Sequence, residues 1–259
     1  MTIERRNHGR GHSYLVDGVK LPGVTTILDK TMAKPALIEW AGKTTANYAV
    51  DYWAELGELT PSKRLDRLNR ARFEEKDAAA RRGTEVHRLA EQLVAGAQVD
   101  VPDELAGHVE AYVDFLNTWE PEPVLVEAVL ANRTVGYCGT ADLVADMGRP
   151  KVRWLLDVKT GRSGIFGETA LQCTAYAKAE AYLGVDGAEH DMAELGITRI
   201  GAIHVRSDGW DLRPLVSGEE VWSTFRHLAW LYRQLERCDG LRDWVGPAIS
   251  PLRAVEAAS

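Results

Sequence analysis

The sequence predicts an α/β fold: a central mixed β-sheet containing an antiparallel meander, flanked by helices, with a further helical region at the N-terminus. Three observations carry that expectation. From residue 25 to about residue 119 apolar side chains recur at three- and four-residue spacing, the period of helices packed on one face. Between 124 and 158 this gives way to three short segments rich in β-branched residues, separated by turn-forming clusters. Helical spacing then returns, followed by two more strands and a last helix. A chain of 259 residues can bury a full core. We read it as one compact unit, with a hairpin and helical region over 1–122, an α/β core over 123–238 and a tail over 239–259.

Taken in order, His12 to Leu21 reads as a hairpin, with Tyr14 and Val16 alternating before the Asp17-Gly18 turn and Val19 and Leu21 after it. Helices follow from Thr25 to Leu59, broken near Pro35, and a second helical stretch opens at Pro61. In that stretch Val86, Leu89, Ala90 and Leu93 form the buried stripe, and His87 lies off it beside the small residues Gly83 and Ala80. The aromatic residues Trp40, Tyr48, Tyr52 and Trp53 suit base stacking, though such residues more often build core. An amphipathic helix is expected over Leu105 to Trp119. Strands are expected over 124–131, 135–146 and 152–158, a glycine-rich loop over 161–167, and a helix from Glu168 to Leu183. Two more strands should cover 197–205 and 210–216. Ser217-Gly218-Glu219-Glu220 reads as a capping box for a last helix, and the tail from Asp239 is expected to be loosely ordered.

Composition narrows the function. A formal net charge of -7 argues against a histone-like binder coated in basic surface. Residues 63–91 nevertheless hold nine Lys/Arg against six Asp/Glu, which fits either a basic track or a solvated helix of mixed charge. The three cysteines, Cys138, Cys173 and Cys238, have no paired spacing, so neither a disulfide framework nor a thiolate metal site is expected. With no apolar run of about 18 residues and no apolar block near the N-terminus, a soluble cytoplasmic protein without membrane contact is expected.

The chemistry concentrates between Gly136 and Tyr176. Side chains alternate along a strand, so Asp157 and Lys159 face one spot while Val158 points away. If the meander pairs through its second turn, Asp142 falls beside Asp157, and Glu127 on the first strand can add a third carboxylate. Such oxygen donors suit Mg²⁺ or Mn²⁺. A D-x-K alone is most often a surface pair, but here it interrupts the apolar run WLLDVKTG, where charge is costly unless compensated. Gln172 and Tyr176 share one face of the helix that follows.

In this order, His87 in RGTEVH, Glu127 in VEAVL, Asp142 in GTADLV, Asp157 and Lys159 in LLDVKTG, and Gln172 and Tyr176 in LQCTAY, the set resembles the PD-(D/E)XK nuclease superfamily. It looks like the RecB-like branch that includes phage-type and CRISPR-associated exonucleases. The resemblance spans about residues 83–205, and the segment PGVTTILDKTMAKPALIEW is similar to the N-terminal part of phage-encoded members. It implies a restriction-endonuclease-like core and metal ligation by His87, Asp142, Asp157 and the carbonyl of Val158. It further implies an accessory acid at Glu127, a catalytic lysine at Lys159, and substrate positioning by Gln172 and Tyr176. Gly139 matches a tight approach ahead of the metal-binding Asp. Relatives with an iron–sulfur cluster carry a cysteine before the His motif; this chain has none before Cys138, so no cluster is expected. The implied activity is a Mg²⁺- or Mn²⁺-dependent DNA exonuclease in recombination, repair or DNA degradation, working in the host cytoplasm if phage-encoded. DNA is the expected partner, and a homo-oligomer or a recombination partner protein would be compatible with it. The alternatives are a non-catalytic DNA-end-binding recombination partner and a structure-selective endonuclease.

Overall fold

The structure is a computed structural model and describes residues 2–9, 11–161, 164–238 and 241–248. The chain opens with β1 (Ile3–His8), β2 (Gly11–Val16) and β3 (Val19–Leu21), an antiparallel three-stranded sheet. Helices α1 (Val24–Thr31), α2 (Pro35–Asp51), α3 (Trp53–Glu58), α4 (Pro61–Val94) and α5 (Ala106–Trp119) follow. The meander is β4 (Glu122–Asn132), β5 (Tyr137–Met147) and β6 (Val152–Lys159). Then come α6 (Glu168–Ala177), β7 (Ala181–Leu183), β8 (Glu189–Asp191), β9 (Arg199–Arg206), β10 (Gly209–Pro214) and α7 (Glu219–Arg237).

The main sheet has seven strands in the order β10-β9-β6-β5-β4-β7-β8. It is mixed as expected: β6 and β9 run parallel, with Asp157 opposite Ala202 and Lys159 opposite His204, and the other neighbours are antiparallel. A strand leaving β6 can return parallel only by crossing over the sheet, and α6 lies in that crossover. Each sheet face has its own core. On one, Ile27 of α1, Cys173 and Tyr176 of α6 and Phe225 of α7 pack against Leu130, Val144 and Leu155. On the other, Ala90 of α4 and Tyr112 and Phe115 of α5 pack against Leu143, Leu156 and Ile203. The N-terminal sheet lays Ile3, Tyr14 and Val16 on Ala131 and Cys138, and Tyr14 is tied to the main sheet by a 2.9 Å hydrogen bond between its hydroxyl and Thr140 Oγ1.

Four expectations need correction or extension. The helix from Glu168 stops at Ala177; residues 181–183 instead form β7, pairing Tyr182 with Leu130 and Ala181 with Ala131. Covering the open edge of β4 satisfies backbone groups that a longer helix would leave unpaired. Ser217 does not close a capping box, because Gly218 is the N-cap of α7 and no side chain caps it. Strand β1, in a run of polar and charged residues, precedes the hairpin and pairs along all of β2. Of the four aromatics, Trp40 and Tyr48 are half-buried, but Trp53 is 75 % exposed and α2 buries none of its residues. Within the expected tail, 241–248 holds a single 3-10 turn at Arg242–Trp244; the rest, like 162–163 in the glycine-rich loop, lies outside the described residues.

The close approach at Gly139 is real. A Cβ there would sit 2.4 Å from Cε1 of Tyr176, so only glycine lets α6 bring that ring against β5. Gly139→Ala should therefore displace the ring or the strand and destabilise the fold by roughly 1–3 kcal/mol, measured by urea unfolding. An unchanged midpoint would mean the ring is free to move aside.

Candidate metal centre

Strands β4 and β5 pair on both sides of one position, Val126 with Leu143 and Ala128 with Ala141, and the ladder skips Glu127 and Asp142 between them. There the alternation of faces breaks. Leu143 packs on the α5 side of the sheet and Ala141 on the α6 side, although two residues apart should share a face. On β4, Leu125 and Leu130 likewise end on one face despite opposite parity. The backbone cause is Glu127, with a φ of 49°, in the left-handed region that a non-glycine residue occupies only at a cost. Such outliers persist where surrounding structure enforces them, and they cluster at functional sites.

The break collects donors. One ligand atom each from His87, Glu127 and Asp142 lie within 4.8 Å of one another, a set that can hold a metal ion. His87 comes from α4, where the buried stripe of Val86, Leu89 and Ala90 seats the helix and leaves the imidazole over the sheet. Its Nδ1 is 3.4 Å from Asp142 Oδ2. The same carboxylate oxygen accepts from the Val158 N–H at 2.7 Å. Tyr112, Glu91 and Val158 line the small cleft around the three donors.

The electrostatics are those of carboxylates crowded together and buried. Burial, then the neighbouring Asp157 charge, pushes Asp142 up to about 8 against the Val158 N–H and Lys159. Burial and Asp142 push Glu127 up to about 7. His87 is held below its ordinary value, chiefly by burial, a shift that favours the neutral imidazole a metal requires. Two hard carboxylates and one imidazole form a donor set suited to a divalent cation.

Asp157 and Lys159 face one spot, as alternation requires, but make a neighbouring cluster. Asp157 is 2 % exposed; its Oδ2 lies 2.7 Å from Lys159 Nζ, and its Oδ1 accepts from Gln172 Nε2 at 2.8 Å. Gln172 Oε1 in turn accepts from Lys159 at 3.2 Å, and Gln172 Nε2 reaches the Tyr176 hydroxyl at 3.2 Å. The helical pair thus locks the acid–lysine pair. Burial opposes the Lys159 charge, but Asp157 more than compensates, raising its pKa and keeping the ammonium. Glu127, expected as an accessory acid, stands inside the set of converging donors, whereas Asp157, expected as a ligand, is not among them; Val158 lines the same cleft and donates its N–H to Asp142.

Sequence reasoning missed Arg5, whose Nη1 is 3.7 Å from Glu127 Oε2. The signal was available once β1 is read as a strand, because Arg5 shares the face of Ile3. Cys138 and Cys173 are buried in the core and Cys238 is half-buried. Among the described residues, no helix is long and apolar enough to cross a membrane.

Scanned against protein-family models the sequence matches none, and no curated protein matches it significantly.

Two outcomes follow from the donor set. Calorimetry with Mn²⁺ should show one site that Asp142→Ala abolishes and Glu127→Gln weakens, with proton release near neutral pH. In chelator, both acids hold protons more tightly when folded than their ordinary values of 4.5 and 3.8 allow, so the folded chain binds more protons than the unfolded one between those values and about 7 to 8. Their contribution is then present at low pH and lost as pH rises through about 7 and 8, so the melting temperature should fall across that window and less so in Glu127→Gln. A flat profile would contradict the buried-acid geometry.

Proposed function

We propose that the chain is a divalent-cation-dependent deoxyribonuclease of the PD-(D/E)XK superfamily, RecB-like branch, removing nucleotides from DNA ends with Mg²⁺ or Mn²⁺. The observation that carries this reading is the adjacency of two clusters, joined by the Val158 N–H that bonds Asp142: the His87, Glu127 and Asp142 donors, and a buried acid–lysine pair held by Gln172, which itself touches Tyr176. A cation site alone would suit many chemistries. A charged lysine held at the edge of that site suits one in which negative charge builds on a phosphoryl group.

The residues divide the work. His87, Glu127 and Asp142 would hold the cation, with Asp157 and the Val158 carbonyl adjoining. The ion, when bound, would lower the pKa of an attacking water and screen phosphoryl charge. Lys159 keeps its proton in the described arrangement, so its role is electrostatic: it steadies developing negative charge while Asp157 and Gln172 fix its position. Tyr176 and Gly139 hold Gln172 in turn by packing α6 on β5. Burial of Asp157 makes this arrangement stiff, because either of its partners, once removed, leaves a buried charge short of compensation.

Purified protein with Mn²⁺ or Mg²⁺ should degrade linear DNA and spare closed circular DNA. Asp157→Ala and Lys159→Ala should each lower the rate by about 10²-fold or more. Binding without turnover would favour a DNA-end-binding partner, and cutting of closed circles would favour an endonuclease. No action on DNA in any form would reject the reading.

A further inference from the structure

We propose that Arg5, on the N-terminal hairpin, contacts the phosphate of the DNA linkage held at the metal centre; this rests on the nuclease reading above. The placement of Arg5 is built in. It is the cross-strand partner of Tyr14, and partners in an antiparallel pair project to the same face. Tyr14 is buried and bonded to Thr140, two residues before Asp142, so the face of the hairpin that carries Arg5 is the one applied to the main sheet. Ile3, two residues earlier on the same face, is buried against Ala131 and Cys138. The Arg5 side chain is 31 % exposed and reaches Glu127 at 3.7 Å, an ion-pair distance too long for a hydrogen bond.

That partner is one a cation would take. Glu127 belongs to the donor set, so when its carboxylate turns to an ion, the guanidinium beside it loses its counter-charge at the mouth of the site. Lys159, the other cation near the site among the described residues, is already held by Asp157 and Gln172. His12, whose ring meets that of Tyr14 edge-on, is held below its ordinary value by burial and then by the Arg5 charge. A planar fork of N–H donors matches two oxygens of a phosphodiester, a match a lysine makes only as a point charge. The strained backbone of Glu127 acquires a purpose: it aims one carboxylate between an ion and an arginine.

The test is DNA affinity by fluorescence anisotropy in Ca²⁺, with Mn²⁺ calorimetry and melting curves alongside. A short duplex carrying an ordinary terminal linkage is compared with one whose terminal linkage is an uncharged methylphosphonate. Arg5→Ala should bind the ordinary duplex about tenfold more weakly, with Arg5→Lys recovering part of the loss. The uncharged linkage should weaken the unaltered protein but add little in Arg5→Ala, because both changes remove the same contact. Mn²⁺ affinity should be kept or improved, since Arg5 no longer competes for Glu127. Arg5→Gln carries the same comparison if Arg5→Ala fails to fold. Equal penalties from the uncharged linkage in both proteins, or a lowered melting temperature with unchanged DNA affinity, would overturn the inference and leave the nuclease reading standing. If the unaltered protein neither binds nor cleaves DNA, the nuclease reading falls, and this one with it.

Discussion

The site depends on one constraint: two antiparallel strands change faces at the same place without losing register. Glu127 takes a backbone conformation that a β-strand excludes, and Asp142 opposite it becomes the point at which β5 also inverts. Regular strands would alternate without a break through this position. The inversion instead sets Asp142 under His87 and beside Glu127, and the neighbouring Val158 N–H holds the Asp142 carboxylate in place. The cost is local strain and crowded, partly buried carboxylates. The fold offsets it with two large apolar clusters, one on each face of the sheet.

From that point the support runs sideways through α6. Asp157 is compensated by Lys159 and Gln172, Gln172 touches Tyr176, and the Tyr176 ring fits because residue 139 has no side chain. Each member fixes the next, so the lysine is positioned by packing rather than by solvent-exposed attraction. Exposed ion pairs are worth little and orient poorly, whereas a buried acid such as Asp157 depends on the cation beside it, since losing that partner leaves its charge uncompensated.

Much of this was legible in the sequence because it is periodic. The meander, the strands at 197–205 and 210–216 and the amphipathic helices all carry apolar residues at their own spacing, and the fall of Asp157 and Lys159 on one face follows from alternation alone. The helix over 168–183 was overextended because Ala177 to Leu183 is apolar enough for either structure; the unfilled edge of β4, a tertiary fact, decided for a strand. Strand β1 was invisible for the opposite reason, since only Ile3 of its residues is buried and pairing with β2 holds the rest. Glu127 entered as an accessory acid, but its place within the donor set comes from a left-handed residue inside a strand, a conformation that no spacing rule anticipates. His87 was recoverable only as a member of an ordered series, because a histidine off a helical stripe has no signature of its own.

The bond between Tyr14 and Thr140 joins residues 126 positions apart, and the donors come from three separate elements, α4, β4 and β5. Contacts that close such long loops form late, after local helices and hairpins exist. An incompletely folded or nascent chain would therefore have its helices and meander before it had a working centre. This topology ties assembly of the donor set to the completed fold, so that a fragment lacking α4, β4 or β5 cannot bring His87, Glu127 and Asp142 together.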